Sequence, residues 1–138
     1  MMLGLNFTSL AQPFQLQILH ASDFEAGLSV PKPAPNFAAI VDALDNTYPN
    51  TVILSSGDNF IPSPFSFSGG DPALNSSLQS TYASYFGTST VYSLAASIAR
   101  VDISILNFLG IEASVLGNHD FDFGTTELRN IINTAGSN

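Results

Sequence analysis

The chain contains no cysteine and no tryptophan, and only three of its 138 residues are basic. The absence of cysteine excludes a disulfide framework and a thiolate metal site, so any metal ion must be held by oxygen and nitrogen ligands. The scarcity of lysine and arginine argues against nucleic-acid binding, because such binding depends on cations that neutralise phosphates. The net charge of −8 also disfavours attachment to an anionic membrane surface.

Long apolar runs are missing too, since no segment reaches the ~18 apolar residues expected of a membrane-spanning helix. Apolar residues nevertheless make up 45% of the sequence, which suits a folded core and excludes a disordered chain. Residues 1–13 are interpreted as a leader or the remnant of a signal peptide, although they lack a basic n-region. Together with the Ser/Thr/Asn-rich, lysine-poor composition, this interpretation favours a secreted or periplasmic protein.

The first half of the chain predicts two parallel strands joined by a helix. The alternating run over residues 14–19 and the β-branched run Thr51-Val52-Ile53-Leu54 both predict strands. Between them, an apolar stripe predicts an amphipathic helix that begins near Asn36. A strand–helix–strand crossover makes the two strands parallel. Residues 14–138 are therefore predicted to form an α/β fold of βαβ units with largely parallel strands.

The second half predicts a loop, two helices, a strand and a last helix. The Pro/Gly/Ser-rich residues 60–72 are expected to form a loop without regular structure, and residues 73–86 a helix. A further apolar stripe runs from Ile98 to Leu109 and ends at Gly110, which predicts a helix with Asp102 on its solvated face. Residues 113–116 predict the third strand, with Glu112 also solvated, and residues after Thr125 predict a helix capped by that threonine.

Each of the three predicted strands ends in side chains that bind cations. The segments are Asp23-Phe24-Glu25, Gly57-Asp58-Asn59 and Gly117-Asn118-His119-Asp120. The carboxyl ends of parallel strands share one edge of a sheet, so we expect the three segments to meet there. Carboxylate and amide oxygens and imidazole nitrogen are ligands for divalent cations. Within these segments, Asn59 is interpreted as a residue that stabilises its turn, with a hydrogen bond to a phosphate oxygen as the alternative. Asp120 is interpreted as outward-facing or as a support for the ligands.

The segments containing these ends resemble the calcineurin-like metallophosphoesterase family. Within that family they are most similar to the secreted 5′-nucleotidases and 2′,3′-cyclic-nucleotide phosphodiesterases. The similar segments are residues 16–23, 54–60 and 116–124. The resemblance implies a layered α/β sandwich that hydrolyses phosphoesters, here nucleotides in a catabolic role. It also implies two divalent metal ions as cofactors, chosen among Mn²⁺, Zn²⁺, Mg²⁺ and Ca²⁺.

The resemblance also implies a role for each residue at the three strand ends. Asp23 would bind the first metal, Asp58 would bridge both metals, and Asn118 would bind the second. His119 would face the phosphoryl group and the leaving oxygen, so that Asn118 and His119 would both contact substrate. Asp122 would be the partner of His119 in catalysis.

Glu25 stands where the family usually has a histidine. As an oxygen ligand of the first metal it would favour harder ions such as Mn²⁺, Mg²⁺ or Ca²⁺ over Zn²⁺. The alternative is that its side chain points to solvent and the first metal is weakly bound or lost.

The family's remaining histidine ligands have no counterpart in this sequence, whose only histidines are His20 and His119. Residues 14–138 are therefore expected to be the incomplete N-terminal portion of a metallophosphoesterase domain, inactive without the missing C-terminal part of the same polypeptide. The alternative interpretation is a non-catalytic module of the same fold that binds a cation or a partner.

Overall fold

A computed structural model describes residues 13–24, 33–87 and 96–134 and shows a parallel three-stranded sheet. The strands lie in chain order: β1 (Gln17–Ala21), β2 (Thr51–Ser55) and β3 (Ala113–Ser114). β1 and β2 pair along their whole length, whereas β3 adds only two residue pairs to β2. The prediction of a mixed α/β fold with parallel strands is thereby confirmed.

The first strand begins three residues later than the sequence predicted, at Gln17 rather than residue 14. The reason is that the partner strand β2 begins only at Thr51, so pairing cannot begin earlier in β1. The backbone N–H of Gln17 donates to the O atom of Asn50, the residue before β2, at 2.9 Å. The third strand, predicted over residues 113–116, ends at Ser114.

Five helices are found among the described residues. They are α1 (Ala34–Asp45), α2 (Pro64–Ser68), α3 (Pro72–Phe86), α4 (Arg100–Phe108) and α5 (Thr125–Thr134). None of these helices is long and apolar enough to cross a membrane. The helices predicted around residues 36, 73–86 and 98–109 are confirmed, and Thr125 is the first residue of α5 rather than its cap.

The prediction that residues 60–72 lack regular structure is wrong, because α2 lies within them. Its start is local: the Ser63 hydroxyl accepts the backbone N–H of Ser66 at 3.1 Å, and Pro64 occupies the first helical position. The next helix begins similarly, where the Asp71 carboxylate accepts the N–H of Ala73 at 2.9 Å.

The described residues form two apolar core clusters. One lies between the sheet and helices α1 and α4 and is built on Val41, Ile53 and Leu109. The other is built on Phe60, Ala99, Leu128 and Ile131, and it joins α4 and α5 to the segment after β2. The second cluster thus places the segments that follow β2 and β3 beside each other.

Candidate functional site

The segments after β2 and β3 touch through two glycines. A Cβ atom added to Gly57 would lie 2.2 Å from the backbone nitrogen of Gly117, and one added to Gly117 would lie 2.3 Å from Asp58 Oδ1. Gly57 also has a φ of +95°, which disfavours other residues. Glycine at both positions therefore lets the two strand ends approach closely.

Asp120 holds this contact together. Its side chain is fully buried, and its carboxylate accepts the backbone N–H groups of Asp58 at 3.0 Å, Asn59 at 3.0 Å and Gly117 at 2.9 Å. A single 3-10 helical turn over His119–Phe121 directs it inward. The outward-facing interpretation of Asp120 is wrong, and the residue supports the backbone of both loops.

The side chain of Asn59 also has a structural role at these strand ends. It is buried, its Oδ1 accepts the Ser55 hydroxyl at 2.8 Å, and its Nδ2 donates to the Ser114 hydroxyl at 3.0 Å. These bonds join the end of β2 to β3. The interpretation of Asn59 as a structural residue of the turn is confirmed.

His119 links two of the predicted site residues. Its backbone N–H donates to Asp58 Oδ1 at 2.7 Å, and its ring Nδ1 lies 2.8 Å from Asp122 Oδ2. The His119 and Asp122 side chains remain 44% and 36% exposed, so the pair is open to solvent. The predicted contact between His119 and Asp122 is present, while their catalytic roles stay predictions.

Asp23 follows β1 and lies near the same edge of the sheet. Its side chain is exposed and its backbone N–H donates to Gly57 O at 3.3 Å. Asp23 and Asp58 both have left-handed backbone conformations, with φ of 58° and 52°, a region that aspartate enters more readily than most residues. The two carboxylates that the resemblance assigns to metal thus occupy equivalent turns after neighbouring strands.

The two remaining predicted metal ligands are Asn118 and Glu25. Asn118 is exposed and lies between Gly117 and His119, at the start of the 3-10 turn. Glu25 lies outside the described residues, so its role stays a prediction.

The donor set fits part of a cation site. Within residues 13–24, 33–87 and 96–134, no group of three or more His, Cys, Asp or Glu side chains is arranged to hold a metal ion. The carboxylates of Asp23 and Asp58 and the amide of Asn118 are nevertheless oxygen donors that hard divalent cations accept. A complete site therefore needs ligands beyond those that the described residues provide.

The prediction that Asp102 and Glu112 are solvated is wrong for Asp102 and confirmed for Glu112, which is exposed. Asp102 is only 6% exposed, and burial raises the pKa of its carboxyl to about 6. Glu112 extends the sheet, since its backbone N–H donates to Ile53 O at 2.9 Å and its Oε1 accepts the N–H of Ile53 at 3.2 Å. The burial of Asp102 could have been predicted from its spacing, because it lies four residues after Ile98 and three before Ile105 on the apolar stripe.

Comparison of the chain with known proteins finds no match. None of the protein-family models, curated proteins or solved structures compared with the chain matches it. The fold is therefore described by its class, a mixed α/β protein with a parallel three-stranded sheet. Any narrower assignment depends on the residues at the strand ends.

Proposed function

We propose that this chain is the N-terminal, metal-binding portion of a calcineurin-like metallophosphoesterase that hydrolyses nucleotide phosphoesters. The observation that carries the proposal is the junction of Asp58 and His119. The backbone N–H of His119 bonds the Asp58 carboxylate at 2.7 Å, while its ring lies 2.8 Å from Asp122. This arrangement sets an oxygen ligand suited to a divalent cation beside a histidine suited to proton transfer.

The residues have separate tasks under this proposal. Asp23, with Glu25, would hold the first metal ion, Asp58 would bridge the two, and Asn118 would hold the second. Bound in pairs, divalent ions stabilise charge on phosphoryl oxygens and generate a nucleophile from water.

His119 acts on the substrate. Oriented by Asp122, it donates a proton to the leaving oxygen or a hydrogen bond to the phosphoryl group. Its partial exposure of 44% is consistent with a group that must reach a bound molecule.

The layered sandwich of the family and the secreted or periplasmic location belong to the same proposal. The three parallel strands with α1 and α4 on one face would form part of that sandwich. Because the family's further histidine ligands have no counterpart in this sequence, residues 1–138 alone are expected to hydrolyse little or no phosphoester.

The test is Mn²⁺-dependent phosphate release from AMP and bis-p-nitrophenyl phosphate by the protein including any segment that its gene encodes after Asn138. Asp58→Ala should abolish the activity, and His119→Ala should lower it roughly 10²–10⁴-fold, the usual contribution of a general acid. The matched control is Asp45→Ala, an exposed acid at the end of α1, which should leave the rate unchanged. Wild-type rates in both site variants would disprove the assignment.

A non-catalytic module of the same fold that binds a cation or a partner is the second candidate, because Asp23, Asp58 and Asn118 could bind one cation without completing a catalytic pair. Calorimetric titration with Mn²⁺ separates the two functions. Saturable Mn²⁺ binding that Asp58→Ala removes, without phosphate release from either substrate, would identify the module.

A further inference from the structure

A cavity of about 270 Å³ lies between the end of β1, the start of α1 and helix α4. Its walls are largely apolar, with Phe24, Phe37, Ile105, Leu106 and Leu109 among the residues that line it. The rings of Phe24 and Phe37 meet edge to face with centroids 5.7 Å apart. An apolar cavity of roughly 150 Å³ is enough to admit benzene, so this one has room for a ring and a short substituent.

Asp102 lines this cavity from α4. The residue is 6% exposed, and its Oδ2 has no hydrogen-bond partner in the part of the chain that the structure describes. Burial raises the pKa of the carboxyl to about 6, and a hydrogen bond from Ser66 offsets part of that effect. A buried carboxylate oxygen without a donor is costly, so a ligand that supplies a donor would be bound favourably.

The charged side chains among the described lining residues have one sign. Asp23 and Asp102 both line it, and none of its described lining residues is basic. The amide of Asn59, which also lines it, is already bonded to Ser55 and Ser114. The cavity therefore presents carboxylates and apolar surface, a combination that favours a cation and disfavours an anion.

We propose that this cavity binds a small organic amine, with its apolar body against α1 and α4 and its ammonium group on the Asp102 carboxylate. The pair would be a charge-assisted hydrogen bond in an apolar setting, which is stronger than its solvent-exposed equivalent. Phe24 and Phe37 add aromatic surface to which a cation is attracted. The site needs no metal ion, so it stands or falls separately from the proposed hydrolase function.

Benzylamine is the probe, titrated into the chain without metal at neutral pH and followed by calorimetry and NMR chemical shifts. Benzyl alcohol, equal in size but neutral, and phenylacetate, an anion, are the matched ligands. Benzylamine should bind at least about tenfold more tightly than benzyl alcohol, and phenylacetate should not bind. Absence of saturable benzylamine binding up to about 10 mM would overturn the proposal.

Variants locate the site. Asp102→Asn should weaken benzylamine binding at least about tenfold and change benzyl alcohol binding less than about twofold, because only the charge is removed. Ile105→Phe, which fills the cavity, should weaken both ligands. The control Asp45→Asn, an exposed acid, should change neither.

Two results would contradict this location of the site. One is equal benzylamine affinity in wild type and Asp102→Asn. The other is unaltered binding in an Ile105→Phe protein that melts as the wild type does, a result that remains decisive should Asp102→Asn fail to fold.

Discussion

Asp120 and Asp102 are both buried carboxylates, yet their surroundings are opposite. Asp120 accepts three backbone N–H groups, from Asp58, Asn59 and Gly117. Asp102 keeps an Oδ2 without a partner in the described part of the chain, and burial raises its pKa to about 6. The cost of burying a carboxylate therefore depends on the donors placed around it and not on depth alone.

The two buried acids therefore differ in what they do in the fold. The region around Asp120 is satisfied internally and fixes the backbone of two strand ends. Asp102 lines a cavity and keeps one carboxylate oxygen without a partner in the described part of the chain, and the proposed amine would pair with this carboxylate. Removing each acid should therefore have effects of opposite sign on stability.

The largest effect is expected for Asp120→Ala. Three backbone N–H groups would lose their acceptor in a buried setting, so the free energy of unfolding should fall by roughly 4 kcal/mol. Urea denaturation followed by circular dichroism measures the change. The exposed neighbour Asp122→Ala is the control and should change stability by less than about 0.5 kcal/mol. A loss below about 1 kcal/mol for Asp120→Ala would show that these bonds do not hold the loops together.

Gly57→Ala tests the same region through its backbone and should lower the free energy of unfolding by about 3 kcal/mol. Its added methyl group would overlap Gly117, and its φ of +95° is unfavourable for alanine. Gly124→Ala is the matched control, because φ there is +83° but no atom lies within 4 Å of the added Cβ. That control should cost only about 1 kcal/mol. Equal losses in the two variants would mean that the contact with Gly117 is not restrictive.

Asp102→Asn should have the smallest effect and the opposite sign, stabilising the chain by about 2 kcal/mol at neutral pH. The folded-state pKa of about 6 lies above the ordinary value of 3.8, so the folded protein holds this proton more tightly than the unfolded chain. Ionisation of Asp102 therefore lowers wild-type stability as pH rises from about 4 to about 6, and the penalty stays constant above that range.

The measurement is the difference in unfolding free energy between Asp102→Asn and wild type, from urea denaturation at a series of pH values. The difference should be largest above about pH 6 and should shrink toward pH 4. Subtracting the two proteins removes the contribution of the other carboxylates. A difference that does not vary with pH would contradict the assigned shift.

The sequence predicted the parts of the fold that depend on local periodicity. The β-branched run at residues 51–54 and the apolar stripes of α1 and α4 produced a parallel α/β arrangement close to the one observed. The short helix α2 was missed because its signal is only a serine cap followed by a proline, within a segment whose composition is typical of loops. Strand ends shifted because pairing partners, and not propensity, determine where a ladder begins.

The candidate site was predicted as a set of strand ends with one contact, that of His119 with Asp122, while its other contacts were not predicted. The adjacency of Asp58 to His119 depends on two glycines that touch across different loops, a relation that no local pattern contains. The inward turn of Asp120 likewise depends on N–H donors from Asp58 and Asn59, about sixty residues away in the chain, together with that of the nearby Gly117. The burial of Asp102 was readable from its helical spacing, which the interpretation of an acid as solvated overrode.

The strand ends are attached to the fold unequally, which has a consequence for the size of cation that the proposed site would accept. Asp58 and Asn118 belong to one rigid unit, since Asp120 binds the backbone of both loops. Asp23 lies two residues beyond the last bond that ties β1 to the segment after β2. Its own N–H donates to Gly57 O at 3.3 Å, and its side chain is exposed. In a metal-bound protein, cations of different size would therefore be accommodated by displacement of Asp23, while the distances set by Asp58 and Asn118 stay constant. The strand end that carries Asp23 would thus allow divalent ions of different sizes to bind, whereas the ends that carry Asp58 and Asn118 would select among them.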